Sequence, residues 1–307
     1  MDTQHLQAFV AVADTGSFSG AGQRLHLTQP AISKRVAILE QQLGSPLFDR
    51  VGRKISLTHA GQSLLPNAKR ILREVADAQQ AIADLQGEVQ GTLSMVTSHH
   101  IGLHRLPPAL RHFTERYPEV KLDLHFLDSE QAYEEILQGR YELGAVTLAP
   151  EAIAQVADEK IWTDELLFAV AHDHPLAERD SLQLADLSPW QAIMPDAQTY
   201  TTRLVRKLFK THSQALEINM VTNHLDTIKM MLSIGLGWGV LPRSLLEDGQ
   251  LRILNVQHPP LNRDLGMIYH RQRNLSNAAR AFLQRVKSFA PPLEALGIDP
   301  LQSVERP

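Results

Sequence analysis

Only two residues, His26 and Leu27, separate a short helical stretch, Ser17 to Leu25, from a longer one that begins after Thr28. Two helices across so short a turn fit a helix-turn-helix or an ordinary helical hairpin. In the longer stretch, TQPAISKRVAILEQQLG, the apolar residues Ile32, Val36, Leu39 and Leu43 are spaced four, three and four apart and fall on one face. Thr28 is placed to cap the first turn, and Pro30 is tolerated there because its missing N–H would have no partner anyway. The helix is therefore expected to start near Gln29, and the shorter one to be capped by Ser19. Pro30, Ser33, Lys34 and Ala37 lie opposite the apolar stripe, flanked by Gln29 and Arg35. In a helix-turn-helix such a face enters the major groove, where small and amide side chains reach base edges and cations reach phosphates.

The segment LFDRVGRKISLT, Leu47 to Thr58, favours the DNA-reading alternative. It reads as two short strands around Val51-Gly52-Arg53, a wing that carries Arg50, Arg53 and Lys54. Residues 26–58 hold five Lys or Arg against two acids, whereas the whole chain carries a net charge of −4. The chain is thus no general polyanion binder, and contact with DNA has to come from this local surface.

From Thr58 onward Ala68, Ile71, Val75, Ala78, Ile82, Leu85 and Val89 recur at alternating threes and fours, a heptad-like seam capped by Thr58 and interrupted by Pro66. A seam of this length is expected to pair with a second copy rather than pack on its own domain. With no cysteine in the chain, disulfides and zinc–thiolate sites are excluded. MDTQHLQAFVAVAD has neither a basic leader nor a long apolar run, so no export signal or membrane span is expected, and the location is expected to be cytoplasmic.

Past Gly91 strands and helices alternate. TLSMVT, KLDLHFL and ELGAVTL read as strands, with helices from about Leu103 to Arg116 and Gln131 to Gln138. A second set follows near Trp162: LLFAVAH, QAIMP, EINMV and GWGVLP as strands, with helices near Thr202 to Lys210 and Leu225 to Ile234. DLGMIYHR and a helix from Ser276 to Phe289 look like a return to the first set. This is α/β organisation with parallel pairing.

The run FVAVADTGSFSGAGQRLHLTQPAISKRVAILEQQLGSPLFDR, followed by SLTHAGQSLL, resembles the LysR-type transcriptional regulators, and the likeness extends through most of the chain. Gly20 and Gly22 depart from the alanine-rich first motif helix usual there, each costing up to about 1 kcal/mol in helix propensity. The absence of cysteine also removes the thiol switch some LysR-type proteins use. The resemblance implies a mixed α+β and α/β chain. A winged helix-turn-helix over 1–58 is followed by a linker and dimerisation helix over 59–89 and an effector domain over 90–307. That domain has two lobes like those of type 2 periplasmic binding proteins, lobe I at about 90–161 and 266–290 and lobe II at about 162–265, with a tail at 291–307. DNA contacts are then expected from Thr28, Gln29, Pro30, Ser33, Lys34, Arg35, Arg50, Arg53 and Lys54. Homodimers through the linker helix, joined into a homotetramer through the effector lobes, are implied as well.

If the lobes close on a ligand, its site lies at the carboxyl ends of their strands. Ser98, His99 and His100 follow the first strand, Asp128 and Ser129 the second, and Thr147 ends the third. Tyr200, Thr201 and Thr202 open a helix in lobe II, where Asn223 and His224 lie between a strand and another helix. Taken singly, each of these is as well explained by helix capping. Helix starts suit a carboxylate or another small anion, which is the expected effector. His99, His100, His104 and His125, and the pair His172 and His174, offer a metal or pH-sensing cluster as a minor alternative, but no zinc-hydrolase spacing is present and surface or cap roles fit better, so no metal or other cofactor is expected. Gly235, Gly237 and Gly239 follow a helix and enter a strand, the reverse of a dinucleotide fingerprint, and are read as close helix–strand packing. No hydrolase signature is present. A DNA-binding transcriptional regulator responding to a small molecule, not an enzyme, is therefore expected. The competing reading is a solute-binding or enzymatic α/β protein that its N-terminal helices merely dimerise.

Overall fold

The computed structural model describes residues 2–51, 54–84 and 87–289, which fall into two compact units meeting near Gly87 and Glu88. In the first unit three helices, α1 (Thr3–Thr15), α2 (Phe18–Leu25) and α3 (Gln29–Leu43), precede strands β1 (Phe48–Val51) and β2 (Lys54–Leu57). The strands pair antiparallel, and α4 (His59–Asp84) follows. Leu6, Phe9, Val12, Phe18, Ile32, Val36 and Leu39 make the core. Leu43, read as the end of the buried stripe, is 42% exposed. The left-handed turn at Gly44 brings the chain back, and Leu47 and Phe48 fill the core in its place.

Ser17, not Ser19, caps α2, its hydroxyl accepting from the Gly20 amide at 3.2 Å. The helix starts two residues earlier than expected because Ser17 is the residue in extended conformation. Gly22 offsets its poor helix propensity by closeness: a Cβ there would sit 2.7 Å from the Leu27 carbonyl oxygen. The tight turn into α3 needs that space. Thr58 caps α4 as expected, accepting from the Gly61 amide at 3.0 Å and donating to the Pro46 carbonyl at 2.7 Å.

The seam divides. Ala68 is fully buried, and Leu64, Leu65, Ile71 and Leu72 pack with it on the core of the first unit. Beyond them Val75 and Ile82 are 38% and 69% exposed. Leu85 lies outside the described residues, and Val89, expected as the last seam position, packs instead against a core of the second unit.

The second unit opens with β3 (Gly91–Thr97), α5 (His99–His104), α6 (Pro107–Arg116), β4 (Val120–Phe126), α7 (Ser129–Leu137) and β5 (Leu143–Thr147). The single helix expected from Leu103 to Arg116 is two, because Pro107 and Pro108 supply no N–H to continue the first. β3 pairs in parallel with both β4 and β5. A long strand, β6 (Val156–Val170), then leads through α8 (Leu184–Leu187), β7 (Ala192–Met194), α9 (Tyr200–Thr211), β8 (Ile218–Val221), α10 (Leu225–Ser233) and β9 (Trp238–Pro242). β7 pairs in parallel with β8 and β9. β10 (Arg252–Ile253), β11 (Asn262–His270) and α11 (Asn277–Ser288) close the chain.

Two lobes follow from this order, each built on three parallel strands, β3, β4 and β5 in one and β7, β8 and β9 in the other, and β10 pairs antiparallel with β6. β6 and β11 join them. Residues 156–165 of β6 pair antiparallel with β11, residues 166–169 pair with β9, and β11 returns antiparallel to β5. The expected return of DLGMIYHR to lobe I is thus a crossover strand. Leu93, Met95, Phe113 and Phe282 centre the lobe I core. In lobe II Phe209 stacks on Trp238 with ring centroids 5.8 Å apart. Gly239 lies against Leu232 and Ile228 of α10, the close helix–strand packing expected of it, but Gly237 backs onto the Gln191 carbonyl and Gly235, at φ +81°, meets nothing within 4 Å because it takes the left-handed turn after α10.

Candidate functional sites

In the first unit Thr28, Gln29, Pro30 and Lys34 are exposed at the start of α3, with Ser33 and Arg35 half-buried. Gln29 Nε2 donates to Ser33 Oγ at 3.0 Å, so the two residues present a paired donor–acceptor surface. Arg35 is turned toward α1 by a 2.9 Å bond to Gln4 Oε1, which places its charge to one side of the exposed start of α3. Arg53 lies outside the described residues; Arg50 and Lys54 belong to β1 and β2.

In the second unit nine of the expected effector residues line one cavity between the lobes: Ser98, His99, His100, Asp128, Ser129, Thr147, Tyr200, Thr201 and Asn223. The remaining two do not. Thr202 is fully buried, its hydroxyl donating to the Pro195 carbonyl at 2.8 Å, because this first-turn position of α9 faces away from the cavity. His224 lines a neighbouring open groove instead, its ring 4.3 Å from that of His99.

Most polar groups of the cavity are already engaged with one another. Asp128 accepts from Asn223 Nδ2 at 2.6 Å, and Asn223 Oδ1 accepts from the Asp196 amide at 2.7 Å. The Ser129 hydroxyl accepts from the Thr147 amide at 3.0 Å. Ser98 Oγ and Thr147 Oγ1 have no hydrogen-bond partner among the described residues. His99 is held toward its neutral form by burial and by the neighbouring His224.

Beneath the cavity lies a charge network that the sequence reading missed. Arg263 on β11 donates through Nη2 to Asp164 on β6 at 2.9 Å and through Nη1 to the Thr201 hydroxyl at 2.9 Å. Arg105, just past α5, reaches the other oxygen of Asp164 at 2.8 Å. His100 Nε2 stands 3.2 Å from the same carboxylate. Burial opposes the charge on Asp164, but the bonds from His100, Arg263 and Arg105 outweigh it and hold the carboxyl well below the ordinary carboxylate range. Burial pushes His100 down, toward the neutral ring. The only sequence signal was an Asp and an Arg inside otherwise strand-like runs, where an ionised group has to be paired.

The chain matches the family models for the LysR substrate binding domain over residues 86–291 and for the bacterial regulatory helix-turn-helix protein of the lysR family over residues 3–62. The protein belongs to the LysR family. This LysR-family chain is 30% identical to the HTH-type transcriptional activator CmpR of Synechocystis over 90% of its own length and 92% of that protein's. An uncharacterized HTH-type transcriptional regulator from the ibpB-leuC intergenic region of Azotobacter vinelandii is 63% identical over 35% of this chain and 75% of that one. The crystal structure of full-length CbnR complexed with its target DNA superposes with a TM-score of 0.69 at 22% identity, covering 94% of this chain and all of that one. The protein is therefore a DNA-binding transcriptional regulator with an effector-type second domain, and its relatives are regulators rather than enzymes. Among the described residues no helix is long and apolar enough to cross a membrane.

Proposed function

We propose that this regulator acts in the cytoplasm on double-stranded DNA, read by α3 and the wing, and that a small acidic metabolite bound between its two lobes controls it. The observation that carries this reading is the convergence of side chains from six chain segments on one inter-lobe cavity, with the Ser98 and Thr147 hydroxyls unengaged and Arg263 in the wall. The domain limits at 58, 89 and the lobe crossovers belong to the same reading. So does homodimerisation through α4, supported by the exposed Val75 and Ile82, and joining of dimers through the lobes, supported by exposed Leu103, Met230 and Ile234.

A thermal-shift screen of the full chain against metabolites tests the reading, because a ligand that binds only the native state raises the midpoint by mass action. A carboxylate or phosphate should shift the wild type, and Ser98→Ala or Thr147→Val should reduce that shift while leaving effector-free DNA binding intact. An active ligand that is a cation or an apolar molecule would remove the anion reading. Val75→Asp with Ile82→Asp should yield monomers in sedimentation, and an unchanged assembly state would refute the α4 seam.

A further inference from the structure

The cavity is about 50 Å³ in volume. A water molecule takes roughly 30 Å³ of liquid, and ligand pockets hold roughly 300–1,000 Å³. No metabolite of ordinary size enters this space unless the lobes part. What fills it is protein: Glu130, from the first turn of α7 in lobe I, reaches across to lobe II and accepts from the Tyr200 amide at 2.5 Å. Tyr200 is the first residue of the 12-residue helix α9, so this amide is one that no helical carbonyl can satisfy. The carboxylate sits where the positive end of the helix dipole is strongest.

We propose that Glu130 is a tethered ligand, holding lobe II against lobe I through the first amide of α9 until an effector puts its own acidic group in that place. The proposal rests on the inter-lobe cavity being the effector site. Arg263 in the cavity wall is already engaged with Asp164 and Thr201, and the charge an effector would bring to α9 is supplied from within. Burial raises the Glu130 pKa and the Asp128 charge adds to the rise, against the bond from the Tyr200 amide, so closure of the lobes carries a desolvation cost that is relieved when they part. His100, in the same cavity wall, has both ring nitrogens buried without a hydrogen-bond partner among the described residues.

The chain has no cysteine, so two can be introduced cleanly for spin labels. Glu134→Cys on α7 and Lys207→Cys on α9 are exposed positions on opposite lobes. In the full-length labelled protein, Glu130→Ala should lengthen the inter-label distance by several ångströms and broaden its distribution. The Asp128–Asn223 bond remains, so the open population rises without becoming complete. Acetate at millimolar concentration should return the Glu130→Ala distribution toward the wild-type one and leave the wild type unmoved. Glu130→Gln, which keeps the shape and loses the charge, should open the lobes in the same direction to a smaller extent. Wild-type distances in both variants would overturn the proposal, as would an opened Glu130→Ala protein that acetate does not shift. The measurement involves neither effector nor DNA, so its failure is distinct from failure of the metabolite screen.

Discussion

The start of α3 and the inter-lobe cavity are both collections of short polar side chains at helix starts, yet they are prepared in opposite ways. On α3 Thr28, Gln29, Pro30 and Lys34 stand exposed over the core, and the bond from Gln29 to the half-buried Ser33 is local to the helix. In the cavity most of the groups are satisfied by one another, across lobes and across crossover strands, and the Ser98 and Thr147 hydroxyls are the exceptions. The first surface can bind without changing shape. The second can seat an acid on the Tyr200 amide only by exchanging an internal bond for an external one, which ties occupancy of that seat to lobe position.

The strongest way to break this contrast is to remove a member of the engaged network. Arg263→Ala leaves Asp164 buried with part of its pairing gone, and loss of one partner of a buried ion pair costs about 3–5 kcal/mol. Trp162, Trp190 and Trp238 all lie in the second unit, so denaturation followed by tryptophan fluorescence should show the loss there. DNA binding by the first unit should persist. A small loss in the fluorescence transition would show that the network is not the structural base of the cavity.

On the ready-made surface the expected effect is smaller and of another kind. Gln29→Ala or Ser33→Ala should lose about 1–3 kcal/mol on a specific site with little change on random DNA. Because the two side chains share a bond, the double variant should lose less than the sum. Equal losses on specific and random DNA would sink the base-reading assignment.

Acidity sharpens the contrast further. The buried ring of His100 has its pKa lowered from 6.5, chiefly by burial, with Arg263 and His104 reinforcing and Asp164 opposing. Below 6.5 the unfolded state therefore binds a proton that the native state refuses. Stability of the second unit is full above 6.5 and falls as pH drops through that window, by up to about 1.4 kcal/mol per pH unit for one proton. His100→Asn should flatten the slope of midpoint against pH between 6.5 and 5. An unchanged slope would place the linkage on other groups.

The wing gives the least effect at any one salt concentration. Replacing Arg53 or Lys54 should weaken specific and random binding alike and reduce the salt slope by about 1. An unaltered slope would remove the wing from the interface.

Local signals carried far along this sequence. Thr28, Gly44 and Thr58 mark their helix ends by cap chemistry, and the 3.6-residue stripe of α3 is buried up to Leu39. The lobe strands were visible as apolar runs, and nine of eleven expected cavity residues meet because each follows the carboxyl end of a strand or opens a helix. What stayed hidden was long-range. Asp164 and Arg263 are 99 positions apart, and only the crossover brings them together. Glu130 looked like an ordinary acid in the first turn of α7; its reach to Tyr200 depends on how the lobes face each other. The split of the α4 seam was hidden for the same reason, since heptad spacing does not say which partner covers which turn.

The register of β6 and β11 slips between Leu265 and Gly266, and Asp164 pairs with Arg263 just beside that slip. Irregular pairing is where a sheet yields most readily to twisting. Any turning of one lobe against the other thus strains the Arg263, Arg105 and His100 bonds that converge on one carboxylate. A rotation of this kind has no shallow intermediate: ions withdrawn from water keep their partners or exchange them. Each molecule should consequently occupy one of two lobe arrangements rather than a continuum between them, and the free-energy gap between the two would be written in the two strands that both lobes share.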